Sequence, residues 1–233
     1  MAPPHDDKTA AEFNDGSTPE RRISNILFII AMQTEAAPLV NKFQLAEEPN
    51  SVFPEGVPWL RYYGKYKDLN VNIVCPGKDT SLGVDCVGTV SASLLTYASI
   101  QALRPDLIIN AGTCGGFKEK GASIGDVFLA SDVAFHDRRI PIPVFDLYGV
   151  GTRQAFFTPN LAKELNLKGA AIAYVADLLK VPAIFLKAVT DIVDGDKPTA
   201  EEFLENLAAV AAALDQAATR VVDFVNGKRY SEL

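Results

Sequence analysis

Pro105-Asp-Leu-Ile-Ile-Asn-Ala-Gly-Thr-Cys-Gly-Gly-Phe117 decides how the chain is read. Leu107 to Ile109 is a short, wholly apolar run, as expected of a strand buried on both faces of a parallel sheet. Asn110 ends that run, and Gly112, Gly115 and Gly116 then predict a tight turn with its backbone amides turned outward. Turns after parallel strands are where open α/β sheets take ligands. An ordinary glycine-rich turn would look the same. The functional reading gains weight from two further apolar runs that end in a carboxylate, one at Glu35 and one at Asp191.

Working outward, Ile26–Ile30 predicts a buried strand that runs through Ala31-Met-Gln-Thr-Glu35 into a helix start. Glu35 therefore belongs at a strand-to-helix turn, where a carboxylate also caps the helix dipole; both roles stay open. Residues 49–70 predict a turn-rich antiparallel excursion, with Trp59, Tyr62 and Tyr63 as packing residues, followed by a strand over Val71–Cys75. Asp85–Leu103 predicts a small-residue helix that completes a strand–helix–strand unit with the glycine stretch. Gly125–Ser131 predicts a strand, and Ile140-Pro-Ile-Pro143 extended backbone. His136 beside Asp137 fits a loop or interface better than an acid–base pair, and Arg138-Arg139 lacks the helix N-terminus or glycine loop of a phosphate site. Asn160–Leu167, capped by Asn160, and Gly169–Lys180 predict short helices. Ala183–Val189 predicts a buried strand interrupted by Lys187 and running into Thr190-Asp191; Ala200–Asn226 predicts a long amphipathic helix with Glu201 and Glu202 in its first turn.

The 233 residues suit one α/β domain, with 48% apolar residues for its core. Residues 1–22, rich in proline and charge and without an apolar stretch, are expected to form a disordered tail ahead of a single domain over residues 23–233. A net charge of −7 argues against nucleic acid or an anionic membrane as partner, and no run approaches the length of a membrane-spanning helix. Three scattered cysteines and two histidines give neither a disulfide framework nor a metal centre, and point to a reducing, intracellular compartment. Two carboxylates at strand ends, with Thr113 and Gly115 between them, suit hydrolysis of a glycosidic bond: one activates water while the other protonates the leaving group.

Ala31-Met-Gln-Thr-Glu35, Ile109–Gly116, Gly125-Asp126, Phe135-His-Asp137 and Ala188-Val-Thr-Asp191, in that order, resemble the plant-type 5′-methylthioadenosine nucleosidases of the purine-nucleoside phosphorylase/uridine phosphorylase superfamily. The resemblance runs from about Ile23 to the C-terminus. It implies a mixed, partly closed central sheet surrounded by helices, usually in a cytoplasmic homodimer. It implies hydrolysis of methylthioadenosine to adenine and methylthioribose for methionine salvage, without metal or cofactor. By the same resemblance Glu35 is the base that activates water and Asp191 the acid that protonates adenine N7. Thr113 lies against the ligand near the ribose and water, Met32 lines the sugar and alkylthio side, Thr190 helps position Asp191, and Gly115 counts with them among the substrate-binding residues. Phe135, His136 and Asp137 match a region near the dimer interface and the alkylthio pocket.

One departure stands out. In the family the helix resembling Gly169–Val175 is preceded by Met-Glu, whose glutamate binds both ribose hydroxyls, and before that by a strand and an adenine-contacting loop. Here Asn166-Leu-Lys168 runs straight into Gly169, so one strand and a ligand loop are expected to be lost. Two alternatives follow: a shortened, impaired chain that partners a full-length enzyme, or a nucleoside phosphorylase, which would need an anion site.

Overall fold

The computed structural model describes residues 20–136, 138, 140–165 and 174–233. Its centre is a mixed seven-stranded sheet. Chain order gives β1 (Asn25–Ile29), β2 (Ala46–Glu47), β3 (Leu60–Tyr66), β4 (Leu69–Cys75), β5 (Leu107–Gly116), β6 (Val127–Leu129) and, after the separate hairpin of β7 (Asp132–Val133) and β8 (Arg153–Gln154), β9 (Ala183–Ile192). The order across the sheet is β2-β3-β4-β1-β5-β9-β6. The four inner strands β4, β1, β5 and β9 run parallel, while β2, β3 and β6 add antiparallel edges.

β1 is buried almost throughout because both faces of the sheet are covered. Ile26, Phe28 and Ile30 point into one core with helix α1 (Gln33–Lys42) and the long C-terminal helix α6 (Thr199–Val225). Leu27 and Ile29 point the other way, toward Leu95 and Ile100 of α2 (Thr89–Leu103) and Ala176 of α5 (Tyr174–Leu178). On α6, Val210, Leu214, Ala218, Val221 and Val225 recur every three or four residues, the spacing of one helical face. Aromatic rings close the first core, with Phe43 set 6.4 Å from Phe28 and 4.5 Å from Tyr66.

Residues ahead of β1 are tied to the C-terminal end. Arg21 pairs with buried Asp106, whose other oxygen accepts from Ser24 N (2.9 Å), Ser24 Oγ (2.8 Å) and Asn25 N (2.9 Å). The Tyr230 hydroxyl donates to the Asp106 carbonyl at 2.5 Å.

Several elements depart from the sequence reading. The expected turn after Ile109 is absent: β5 runs on for ten residues, through all three glycines, to Gly116. None of these glycines has a positive φ, so backbone freedom is not their purpose. α2 starts at Thr89 rather than Asp85, since Gly88 before it has a φ of 113° that no helix accommodates. A short helix α3 (Phe145–Val150) follows the two prolines. α4 spans Pro159–Leu165, so Asn160 lies within it and not at its cap; its Nδ2 donates to the Glu232 carbonyl instead. The Lys168–Gly169 junction, residues 1–19, Asp137 and Arg139 lie outside the described residues.

Candidate active site

Because β1, β5 and β9 are adjacent and parallel, their C-terminal ends open at one edge of the sheet. That brings together Met32 and Glu35 from the first turn of α1, Thr113 and Gly115 from β5, and Thr190 and Asp191 from β9.

Glu35 is only 2% exposed. Its Oε1 accepts from Thr113 N (2.7 Å) and Thr113 Oγ (2.8 Å), and its Oε2 from Met32 N (3.2 Å). The capping role and the site role left open by the sequence thus coexist: one oxygen satisfies an orphan amide of α1, the other is fixed on β5. A buried carboxylate with charge-assisted donors keeps one orientation. The close seat depends on Gly112, where a Cβ would lie 3.3 Å from Glu35 Oε1.

Asp191 is docked on the same strand three residues further on, about 10 Å along it at strand rise. A bulge between Cys114 and Gly115 shifts the register so that Gly115 pairs with Asp191. The Thr190 hydroxyl lies 2.8 Å from Asp191 Oδ1 and 3.2 Å from the Cys114 carbonyl; its single proton goes to the nearer acceptor. Asp191 Oδ2 faces the bare Cα of Gly115, where a Cβ would lie 3.0 Å away and 2.7 Å from Val193. Gly115 is therefore glycine for close approach, and Gly115→Ala is expected to displace Asp191 and lower turnover by up to about 10²-fold, with little change in the thermal unfolding midpoint. Steady-state rates and a melting curve on one preparation check this.

Three groups that the sequence reading did not single out for the site hold it together. Glu202, assigned only to the α6 dipole, accepts from Ile192 N at 2.8 Å. Asn206, one turn later, donates to the Thr190 carbonyl at 3.0 Å. Asp194 accepts from Lys118 N (2.6 Å) and Glu119 N (2.9 Å), closing the turn after β5 onto the turn after β9, and these amides lower its carboxyl from the ordinary value. The signal for Glu202 and Asn206 was their i, i+4 spacing at the helix start nearest Asp191.

A cavity of about 710 Å³ opens on the α2 side of the sheet, with Ile29, Asn110, Phe135, His136, Phe185 and Lys187 among its walls. Glu35, Thr113, Gly115 and Asp191 do not line it. Lys187 joins the two regions, since it stands on β9 opposite Gly112. Thiol chemistry has no support here: burial pushes Cys75 up to about 12, and burial also raises Cys114 against the opposing pull of Lys187. Among the described residues no cluster of three or more His, Cys, Asp or Glu could hold a metal ion. Likewise no helix is long and apolar enough to cross a membrane.

The sequence pattern of the phosphorylase superfamily matches residues 25–167. A 5′-methylthioadenosine nucleosidase of Arabidopsis thaliana is 62% identical over 244 residues, covering 91% of each chain. A 5′-methylthioadenosine/S-adenosylhomocysteine nucleosidase of the same plant is 58% identical over 249 residues, covering 94% of this chain and 98% of that protein. The apo structure of Arabidopsis thaliana 5′-methylthioadenosine nucleosidase superposes with a TM-score of 0.89 at 60% identity, covering 91% of this chain and 100% of that one. The first alignment spans 244 positions, yet 91% of 233 residues is about 212, so roughly 30 positions of that relative have no counterpart here. The superfamily match stops at residue 167, one residue before the junction at Lys168. The superfamily match over residues 25–167 and these two plant relatives show that the chain belongs to the phosphorylase superfamily, in its plant-type methylthioadenosine nucleosidase family.

Proposed function

We propose that the chain is an N-glycosyl hydrolase that cleaves 5′-methylthioadenosine to adenine and 5-methylthioribose, a step of methionine salvage. Family membership supports the reaction, and one observation carries its assignment to residues: Glu35 and Asp191 are each seated against a glycine of the same strand, Gly112 and Gly115. Glu35, with its oxygens held by Thr113 and Met32, takes a proton from water as the water oxygen bonds to C1′ of the sugar. The C1′–N9 bond breaks with its electrons going to adenine, and Asp191 delivers a proton to N7 through Oδ2, its other oxygen being held by Thr190. Thr113 lies against the ribose and water, Gly115 on the Asp191 side of the substrate, and Met32 against the sugar and alkylthio side. No cofactor takes part. The test is adenine release by the purified chain in phosphate-free buffer. Release without phosphate supports the hydrolase; release only with phosphate makes it a phosphorylase, and none in either case removes both.

A second reading is favoured by the roughly 30 unmatched positions: a shortened chain, impaired in ribose binding, that pairs with a full-length enzyme. We place the chain in the cytoplasm as a homodimer, consistent with three free cysteines and with exposed Val90, Leu94 and Tyr97 along α2 and Phe145 and Leu147 on α3. Co-purification of a tagged copy with an untagged one, and with a full-length relative, tests both pairings.

A further inference from the structure

Thr190 and Asp191 break a rule of strand geometry. Successive side chains of a strand point to opposite faces, yet the Thr190 hydroxyl lies 2.8 Å from Asp191 Oδ1. The bulge accounts for it. On β5, Cys114 pairs with Val189 and Gly115 with Asp191, so Thr190 is the inserted residue, without a register partner. An inserted residue re-aims the side chains beside it and disrupts the ladder locally, so the backbone there needs other partners. Here α6 supplies them. Asn206 Nδ2 donates to the Thr190 carbonyl at 3.0 Å, on the peptide before Asp191. Glu202 Oε2 accepts from Ile192 N at 2.8 Å, on the peptide after it. Asn206 Nδ2 also donates to the Glu202 carbonyl at 2.8 Å, so the two side chains, one helical turn apart, form one clamp. Upstream, the Val189 carbonyl accepts from Gly125 N and Val189 N donates to the Asp126 carbonyl, both at 2.9 Å; downstream, Val193 N donates to the Gly116 carbonyl at 2.8 Å. The distortion is thus confined to Thr190–Ile192, between fixed ends. The mount is firm as well, since Val210 and Leu214 of α6 are buried in the first core.

Resting on the nucleosidase reading, we propose that Asn206 and Glu202 are positioning residues for proton delivery to the leaving base: they hold the bulge that aims Asp191. Both act through Asp191 and keep their own protons; the proton still passes from Asp191 to N7 as the C1′–N9 bond breaks. Without the clamp the strand end relaxes toward regular pairing, and a change of register by one residue turns a side chain to the other face. Asp191 Oδ2 then leaves its seat against Gly115, where a Cβ would lie 3.0 Å away. The two positions have different requirements. Position 206 needs an N–H donor for the Thr190 carbonyl, and position 202 an oxygen acceptor for Ile192 N, charged or not.

Adenine release and melting curves of the wild type, Asn206→Ala, Glu202→Ala, Glu202→Gln, and Asn206→Ala combined with Asp191→Asn test this. Asn206→Ala is expected to lose about 10²-fold in kcat with KM little changed, as when a reacting group is misplaced by about 1 Å. Glu202→Ala is expected to follow it, whereas Glu202→Gln should stay within about threefold of the wild type, because its amide oxygen still accepts from Ile192 N. Once Asp191→Asn has removed the acid, Asn206→Ala should cost less than about threefold more, since its effect runs through that acid. Wild-type kcat in Asn206→Ala, an equal loss in both backgrounds, or a loss in Glu202→Gln as large as in Glu202→Ala overturns the proposal alone. If Asn206→Ala fails to fold, or Asp191→Asn is too slow to be divided further, the two Glu202 variants decide. A wild type with no turnover overturns the nucleosidase reading and this proposal with it.

Discussion

Glu35→Gln is expected to lower adenine release by about 10²–10⁴-fold, the range for loss of a general base. The fold should survive, because glutamine is nearly isosteric and its carbonyl oxygen can still accept from Thr113 N and Oγ. Its amide nitrogen then faces Met32 N–H, donor against donor, where Oε2 now accepts at 3.2 Å. That conflict frays the first turn of α1 and should cost on the order of 1 kcal/mol of stability, the scale of one lost hydrogen bond. Urea denaturation beside steady-state kinetics separates the two effects: a drop in turnover far larger than the loss of stability explains is the expected pattern.

The second large effect concerns what the chain lacks. About 30 positions of the Arabidopsis thaliana relative have no counterpart here. On the family resemblance they include the glutamate that binds both ribose hydroxyls and the loop that contacts adenine. Charge-assisted hydrogen bonds contribute about 1.5–3 kcal/mol each, and each 1.36 kcal/mol is about tenfold in rate. Inserting the relative's segment between Lys168 and Gly169 is therefore expected to raise kcat/KM by about 10²-fold or more. Titration calorimetry with an adenine nucleoside analogue on both versions checks the binding part; equal affinity and equal kcat/KM would show that the shortened chain has lost nothing.

How far the sequence could be read depended on the kind of signal. Ile26–Ile30, Val71–Cys75 and Ala183–Val189 were legible as strands because burial on both faces demands unbroken apolar runs, and α6 because its apolar face repeats. The place of Asp191 at the sheet edge was legible for the same reason, since it closes such a run, and that of Glu35 because a short strand-to-helix turn follows Ile30. The glycines of β5 were misread because glycine in sequence says only that a side chain is unwelcome. Whether the reason is a positive φ or a neighbour's carboxylate at 3.0–3.3 Å is decided by residues far along the chain. Lys187 looked like a mere interruption; burial lowers its amine from the ordinary value, and the group that most opposes this, Glu35, lies 152 positions away in the chain. Gly88 and the two prolines before α3 were local signals too weak to place helix starts. Glu202 served the dipole in sequence but in space also holds the strand end that carries Asp191.

The central claim is that two carboxylates act together on one bond. Adenine release by Glu35→Gln, Asp191→Asn and the double variant, each against the wild type, tests it most directly. Groups that act as a unit are strongly non-additive. The double variant is therefore predicted to be about as slow as the slower single one; a double variant whose loss equals the product of the two single losses, or a wild type that releases no adenine, would contradict the account.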